Sequence, residues 1–286
     1  MKTQHHIALI GTVLVVTSFA ALSAGCAQQA PGCQVSNSLA YAGKYAQTAG
    51  ATDAPCGGIK GDQLGFGSYN PVNKEGAPDL SKASLAIRSD RLGELVANAD
   101  ANGITDTTKG DAPFAFGDFK QAFPDANDLC EPKEMASAHQ VLPLVPGDDG
   151  GTPDDATDDI PPQDPVDFSE TWTGVQVFVT AAAEGTEVKG HYAIHDELAQ
   201  CDAEYDVLAL FPAVDCTSED ADGNTVGDDL LCSAVAIPEK GIAVGSGISP
   251  DVSTKCEDIG PAGSPQFFCL LDADPTTATL PVPKKQ

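Results

Sequence analysis

The sequence predicts a mainly β fold: an antiparallel β-sandwich or barrel-like body with short helices, joined by disulfides and carrying a long acidic loop. Several segments alternate apolar and polar residues with a period of two, as strands with one buried face do. The 286 residues include 28 glycines and 21 prolines, which favour short strands joined by turns. Nine cysteines are present, and eight of them are candidates for disulfides.

The first 26 residues have the pattern of an export signal. Lys2 precedes an uncharged apolar run, residues 7–21, and the segment 22–26 then reads Leu-Ser-Ala-Gly-Cys. A basic start, a short apolar core and small residues at a cleavage site are typical of a secretory signal peptide. The run is shorter than the roughly 20 apolar residues that a membrane-spanning helix needs. We therefore predict a signal peptide over residues 1–25.

The cleavage site resembles the lipobox of bacterial lipoproteins, which is usually a leucine, two small residues and a cysteine. Small residues fill the three positions before Cys26, although Leu22 stands one position early. The resemblance implies that Cys26 is the lipid attachment site, where a diacylglyceryl group and a further acyl chain, commonly palmitate, anchor the protein to a membrane. Ala27 implies the outer membrane, because inner-membrane lipoproteins of Gram-negative bacteria often have Asp there. In overall plan the chain resembles the acidic, cysteine-bearing lipoproteins of Gram-negative envelopes.

The chain is strongly acidic, with 42 Asp and Glu against 15 Lys and Arg and a net charge of −27. Such a charge repels nucleic acid and anionic lipid, so we expect no nucleic-acid partner and contact with the membrane only through the lipid anchor. A cationic protein or another envelope component is the partner that the charge favours. The oligomeric state stays open.

Eight cysteines follow Cys26, and an even number in an exported protein predicts four disulfides. None of them forms a C-x-x-C pair, which argues against a zinc ribbon or thioredoxin-like chemistry. Three precede the acidic stretch 147–165 and five follow it, so at least one disulfide crosses that stretch if all eight pair. The pairing itself stays open. The candidates are Cys33, Cys56, Cys130, Cys201, Cys216, Cys232, Cys256 and Cys269.

Four regions follow the signal peptide. Residues 26–146 form a β-rich first half, and residues 147–165, rich in Asp, Gly and Pro, form a disordered acidic loop or linker. Residues 166–271 form a β-rich second half that a disulfide holds to the first, and residues 272–286 form a flexible tail. The cysteine counts favour one body over two domains.

Period-two alternation predicts the individual strands. The strongest segments are Thr173–Thr180, Glu187–His195 and Tyr205–Phe211; the weaker ones are Gln63–Tyr69, Ser84–Arg88, Pro113–Phe119, Ser233–Ile237 and Gln266–Leu271. Residues 90–99 are predicted to form a short helix, with Ser89 as its N-cap and with Leu92, Leu95 and Val96 on its apolar face. We expect Trp172, the only tryptophan, to pack in the β core.

No catalytic motif is found in the sequence, and we assign no catalytic residue. The chain has no G-x-S-x-G, no phosphate-binding G-x-x-x-x-G-K-[ST] and no H-E-x-x-H. His191 and His195 would share one face of a strand, but about 13 Å apart, which is too far for a common metal ion. A lipid-anchored extracytoplasmic protein with a structural or binding role is therefore our first hypothesis. An envelope hydrolase with an unrecognised site is one alternative.

The other alternative is a calcium-stabilised ligand-binding module. Asp220, Asp222 and Asn224 are spaced like the first three ligands of an EF-hand-type loop, and Asp228 would complete the shell. The match is partial, because the glycine precedes Asn224 and position twelve is Leu231. An acidic turn explains the same residues without a metal. Calcium is the only candidate cofactor, and Asp100, Asn102 and Asp106 make a weaker case for it.

Overall fold

The computed structural model describes residues 31–36, 40–101, 103, 111–144, 164–261 and 263–284. Strands make up 44% of the described residues and helices 10%, so the predicted mainly β fold is confirmed. The predicted signal peptide, Cys26 and nearly all of the acidic loop lie outside the described residues. Within the described residues, no helix combines the length and the apolar character needed to cross a bilayer.

Nine strands of the described chain form one antiparallel sheet, in the order β4-β3-β2-β1-β9-β8-β7-β5, with β6 pairing beside another part of β7. The sheet curls into a half-barrel. Isolated bridges Ala112–His139, Phe116–Ala136 and Phe119–Pro132 connect its β4 side to the segment around β6. The strands are β1 (Tyr41–Ala49), β2 (Gly61–Tyr69), β3 (Ser84–Ser89), β4 (Ala115–Asp118), β5 (Leu129–Cys130), β6 (Ala138–Leu142), β7 (Val166–Val179), β8 (Glu184–Asp196) and β9 (Cys201–Leu210).

The longest predicted strands form the centre of this sheet. β7, β8 and β9 form the segments predicted from Thr173, Glu187 and Tyr205, and each begins earlier than predicted. β7 begins seven residues before the predicted start, at Val166, and in this first part Glu170 takes the inward position between Phe168 and Trp172. A charged residue at an inward position hides the alternation that marks a half-buried strand.

Helix α1 (Asp90–Ala101) lies against β2, β3 and β6 of the half-barrel. The Ser89 Oγ accepts a hydrogen bond from the Leu92 N–H at 3.1 Å, so the predicted N-cap is confirmed. Leu92, Val96 and Ala99 are buried and Leu95 packs beside them, which confirms the predicted apolar face. Short 3-10 helices lie at Leu80–Lys82, Asp229–Cys232 and Pro238–Lys240.

Residues 212–284, which we call the C-terminal lobe, pack on the outer face of the sheet. The lobe contains two antiparallel strand pairs, β10 (Thr217–Glu219) with β11 (Thr225–Gly227) and β12 (Thr254–Asp258) with β13 (Phe267–Leu271). It buries Leu208 and Leu210 of β9 in a second hydrophobic cluster. The outer face of β9 is therefore covered at one end and open to solvent at the other.

Two predictions fail in the C-terminal lobe. Residues 272–284 are not a frayed tail: Leu280 and Val282 are buried, and the Val282 N–H donates to the Glu187 carboxylate at 2.8 Å. Residues 233–237 form no strand, because the Ser233 hydroxyl bonds the Val235 backbone in a tight turn. Both errors have one cause, since composition does not show which surface a short apolar segment will cover.

Candidate functional site

Aromatic rings fill the concave interior of the half-barrel. Trp172 and Tyr192 stack with centroids 4.6 Å apart, and Tyr45 lies 5.5 Å from Tyr192 and 5.6 Å from Tyr205. Trp172 is 1% exposed, which confirms its predicted place in the β core. A barrel-like sheet that binds a small molecule does so in this interior. Here the side chains of the sheet itself occupy that space.

Two carboxylates lie in the interior beside these rings. Glu170 is fully buried, and it accepts hydrogen bonds from the Tyr192 hydroxyl at 3.1 Å and from the Ser89 N–H at 3.2 Å. The half-buried Asp62 accepts from the Asp90 N–H at 3.1 Å. Burial raises the pKa of the Glu170 carboxyl, and it raises the pKa of Asp62 to about 7. Both carboxyls thus hold the N-terminus of α1, where the helix dipole favours negative charge.

Two polar atoms near these carboxylates lack ordinary hydrogen bonds. The Tyr45 hydroxyl and the Trp172 indole nitrogen are buried and have no partner of normal geometry among the described residues. The Trp172 N–H faces Glu170 closely enough to lower the pKa of that carboxyl, against the larger effect of burial. These groups are a local cost to stability rather than a solvent-accessible reaction centre.

The open part of the outer sheet surface carries a row of charged side chains, which we call the acidic face. It consists of Asp202, Glu204 and Asp206 on β9 with His191 and His195 on β8. The register places His191 opposite Asp206 and His195 opposite Asp202, so all five side chains point outward. Alternate residues of β9, Ala203 and Tyr205 among them, point into the core.

Hydrogen bonds join the histidines of the acidic face to carboxylates. His195 Nδ1 lies 2.7 Å from Asp202 and its Nε2 lies 3.0 Å from Glu197; His191 lies 3.1 Å from Asp206 and 3.3 Å from Glu204. Hydrogen bonds to Asp202 and then to Glu197 raise the pKa of His195. Each imidazole uses both nitrogens on carboxylates, which leaves neither free to ligate a metal. His139 lies similarly 2.8 Å from Asp167.

The eight predicted cysteines form four disulfides. The pairs are Cys33–Cys130, Cys56–Cys201, Cys216–Cys256 and Cys232–Cys269. Cys56–Cys201 joins the two halves of the chain across the acidic stretch, as the odd cysteine counts require. The other three pairs each lie within one half.

The proposed calcium ligands form a turn between β10 and β11. The Asp220 carboxylate accepts the N–H groups of Asp222 and Asn224, both at 2.9 Å, and the Asn224 side-chain amide donates to it as well. Asp228 instead caps the following 3-10 helix by accepting the Leu230 N–H at 2.9 Å. The acidic-turn interpretation therefore accounts for these residues, and calcium binding stays a prediction. Asp100 lies near the end of α1, and Asn102 and Asp106 are outside the described residues.

Two of the surface cavities are open depressions, one of about 460 Å³ beside Lys44 and Asp272 and one of about 610 Å³ beside Asp118 and Lys133. Two others are narrower. One of about 130 Å³ lies between Lys120, Glu131 and Gln176, whose polar groups bond one another. Another of about 300 Å³ lies in the C-terminal lobe beside Cys232. Sites for small molecules usually have about 300–1,000 Å³ and several converging polar groups. None of these cavities is lined by His139 or by Asp62 and Glu170.

Of the acidic face, only His191 and His195 were predicted to share a strand face; its carboxylates and the interior carboxylates were not predicted, although the sequence contains signals for them. Asp202, Glu204 and Asp206 alternate with apolar residues in the printed sequence, which is the pattern of a charged outer face on a strand. Glu170 alternates with Phe168 and Trp172, so it occupies an apolar position of its strand. Asp62 gives no such signal, because its burial depends on α1 and β7.

The fold and these surfaces define a disulfide-stapled, mainly β protein with a filled interior and a charged outer sheet face. The family model MlpA matches residues 39–212, more than half of the chain, and the chain belongs to the MlpA family. The match spans the curled sheet from β1 to β9 and ends where the C-terminal lobe begins. Neither the curated proteins nor the solved structures include a significant match to the chain.

Proposed function

We propose that the protein is a lipid-anchored component of the bacterial envelope that acts by binding through its outer surface. One observation carries the binding role: the interior is filled by its own aromatic side chains, while the acidic face is open to solvent. Because the interior has no room for a ligand, a partner would bind at the outer surface. Four disulfides support an oxidising compartment outside the cytoplasm.

The anchor rests on the lipobox resemblance at Cys26. Six residues separate Cys26 from Cys33, and Cys33 is bonded to Cys130 of the folded body. Such a tether spans about 20 Å when extended. The body is therefore held close to the membrane surface, and its partner is a neighbour in the same envelope layer.

The partner that the charge favours is a cationic segment of another envelope protein. Three carboxylates on alternate positions of β9 are spaced about 7 Å apart along the strand, which suits a row of Lys or Arg side chains. The whole chain, at −27, adds long-range attraction for a cationic partner. None of the cavities described above is lined by a histidine or by Asp62 and Glu170, so none supports the hydrolase alternative.

Metabolic labelling with palmitate tests the anchor. The wild-type protein is expected to take up label and to sediment with membranes, whereas C26A is expected to lose both. The variant A27D is the matched control, since it keeps the attachment site and is expected to move the labelled protein to the inner membrane. An unlabelled wild-type protein that fractionates without membranes would contradict the proposal.

Titration with a decalysine peptide at low ionic strength tests the acidic face. The variant D202N/E204Q/D206N is expected to bind several-fold more weakly than the wild type, because three neighbouring charges are removed. The control E219Q/E239Q/D251N removes three exposed charges from the C-terminal lobe and matches the change in net charge. Equal affinities for both variants would show that only net charge matters, and would overturn the assignment to this face.

The same titration has a predicted pH dependence. The raised pKa of His195 keeps its imidazolium populated at higher pH than usual. Protonation adds positive charge to the acidic face, so decalysine is expected to bind more weakly at pH 6 than at pH 8. Stronger binding at pH 6 would contradict a role for this face.

A further inference from the structure

The C-terminal lobe brings the sulfur atoms of two disulfides together. The Sγ atoms of Cys216, Cys232 and Cys256 all lie within 4.8 Å of one another. Cys216 is bonded to Cys256, and Cys232 is bonded to Cys269. The two disulfides are therefore close enough for a sulfur of one to contact a sulfur of the other.

The backbone permits a second pairing of the same four cysteines. Cys256 and Cys269 stand directly opposite each other on β12 and β13. Opposite residues of antiparallel strands have Cα atoms about 4.5–5.5 Å apart, which is within the range of about 4.4–6.8 Å that disulfides require. The sulfurs of Cys216 and Cys232 are already close. The pairs Cys256–Cys269 and Cys216–Cys232 can thus form with the strand pairing kept.

Cys256 is the sulfur most open to attack. It is half-buried, whereas the other three cysteines of the lobe are buried. Gly227 of β11 lies against it: a Cβ at this position would stand 2.7 Å from the Cys256 Sγ. The same Cβ would stand 2.7 Å from the Phe267 ring, so Gly227 and Phe267 close this side of the sulfur and a thiol reaches Cys256 from its exposed side.

We propose that Cys256 is a site of reaction with low-molecular-weight thiols, and that this reaction exchanges the two disulfides of the lobe. A thiolate attacks the Cys256 Sγ, forms a mixed disulfide and releases the Cys216 thiolate. Cys216 attacks Cys232, which breaks the Cys232–Cys269 bond and releases the Cys269 thiolate. Cys269 then attacks the mixed disulfide at Cys256 and expels the original thiolate. Two disulfides exist before and after, so the small thiol is a catalyst and no net oxidation occurs.

Local charge selects the thiol. The Asp229 carboxylate accepts the Cys256 N–H at 2.7 Å, and the chain as a whole carries −27. An anionic thiol is repelled from this site, whereas a cationic one is attracted. Cysteamine is therefore expected to react faster than glutathione. The inference is independent of the lipid anchor and of the acidic face.

Disulfide mapping after treatment with cysteamine tests the proposal. The oxidised protein is incubated with cysteamine under native conditions, quenched with acid and mapped without reduction. Cleavage at Glu219, Glu239 and Glu257 places each of the four cysteines on its own peptide, so the two pairings give different linked masses. The expected result is the appearance of Cys216–Cys232 and Cys256–Cys269, with Cys33–Cys130 and Cys56–Cys201 unchanged. Unchanged pairing throughout, or equal reaction of all four disulfides, would overturn the proposal.

Two variants test the site of attack and its preference for a cationic thiol. In C232A/C269A the exchange cannot proceed, so cysteamine is expected to accumulate as a mixed disulfide on Cys256. D229N removes the carboxylate beside Cys256 and is expected to reduce the preference for cysteamine over glutathione about threefold or more, whereas D251N, an exposed carboxylate of the same lobe, is the matched control. An adduct on Cys216 instead of Cys256 would contradict the proposed route.

Discussion

Some buried polar groups of the core have hydrogen-bond partners and others have none. Tyr45 and Tyr205 belong to the same aromatic cluster, and both are nearly or fully buried. The Tyr205 hydroxyl donates to the Cys56 carbonyl, whereas the Tyr45 hydroxyl has no partner among the described residues. A buried hydroxyl without a hydrogen bond costs about 1–3 kcal/mol. Removal of the hydroxyl is therefore expected to change the free energy of unfolding in opposite directions at the two tyrosines.

Substitution of each tyrosine by phenylalanine tests this difference. Y45F is expected to raise the free energy of unfolding by roughly 1 kcal/mol, because it removes an unpaired group. Y205F is expected to lower the free energy of unfolding by a similar amount, because the Cys56 carbonyl loses its donor. Urea denaturation of the two variants measures both changes. A loss of stability in Y45F as large as in Y205F would show that the Tyr45 hydroxyl is paired in solution.

Asp62 makes the stability of the folded protein depend on pH. Its folded-state pKa is raised from 3.8 to about 7, so the unfolded chain releases this proton at lower pH than the folded chain. The stability contributed by protonated Asp62 is full below about pH 4 and is lost as pH rises through about 7. Glu187, whose pKa burial also raises to about 7, acts in the same direction.

The variant D62N replaces the titrating carboxyl of Asp62 by an amide and leaves that of Glu187. The wild type is expected to lose about 1–2 kcal/mol of stability between pH 5 and pH 7 through Asp62, and D62N is expected to lose correspondingly less. The exposed D251N variant is the control and is expected to keep the wild-type slope, because this side chain contacts neither histidine of the acidic face. Urea denaturation at pH 5, 6, 7 and 8 gives the slopes. A D62N slope equal to that of the wild type would contradict the raised pKa.

At the scale of elements, helix α1 depends on contacts at its N-terminal end. Ser89 caps the helix, and Arg91 lies 2.8 Å from Asp196 of β8 with its guanidinium 4.4 Å from the Phe168 ring centroid. The interior carboxylates Asp62 and Glu170 accept the first N–H groups. The helix end is thereby joined to β2, β7 and β8 at once.

Removal of the Ser89 hydroxyl measures how much the N-cap contributes to the free energy of unfolding. S89A is expected to lower the free energy of unfolding by about 1 kcal/mol, the usual cost of losing an N-cap hydroxyl. The Ser89 N–H keeps its hydrogen bond to Glu170, whereas the hydroxyl, which also lowers the pKa of the Glu170 carboxyl, is lost with the cap. S81A is the control, because the Ser81 hydroxyl is exposed and bonds only the neighbouring Asp79. Equal stabilities of S89A and S81A would show that the cap contributes nothing.

The elements that the sequence predicted well are those whose apolar pattern is local. The Val and aromatic alternation of β8 and the capped apolar stripe of α1 need no knowledge of their neighbours. β1 was missed because its apolar side chains are Tyr41 and Tyr45, with Gly43 between them, and glycine carries no periodic signal. The burial of Leu280 and Val282 depends on the outer face of β9 and on Glu187. Contacts between distant segments set these features, and a single sequence does not show them.

At the scale of the molecule, two disulfides join cysteines before residue 212, where the family match ends, and two join cysteines after it. The MlpA match covers the curled sheet and ends at residue 212, before the two disulfides of the C-terminal lobe. Cys56–Cys201 closes a separation of 145 residues within the sheet. A disulfide over so long a loop stabilises the fold by about 4–5 kcal/mol in the chain-entropy account. It is the covalent link that makes the two halves of the chain one body.

Disulfide mapping of the protein isolated from envelopes, by mass spectrometry without reduction, tests this account most directly. It reports the compartment, the pairing and the union of the two halves in one measurement. We expect a peptide pair joined through Cys56 and Cys201, a second joined through Cys33 and Cys130, and no free thiol at these four positions. Free thiols there, or Cys56 bonded within the first half of the chain, would contradict an oxidised body closed across its acidic stretch.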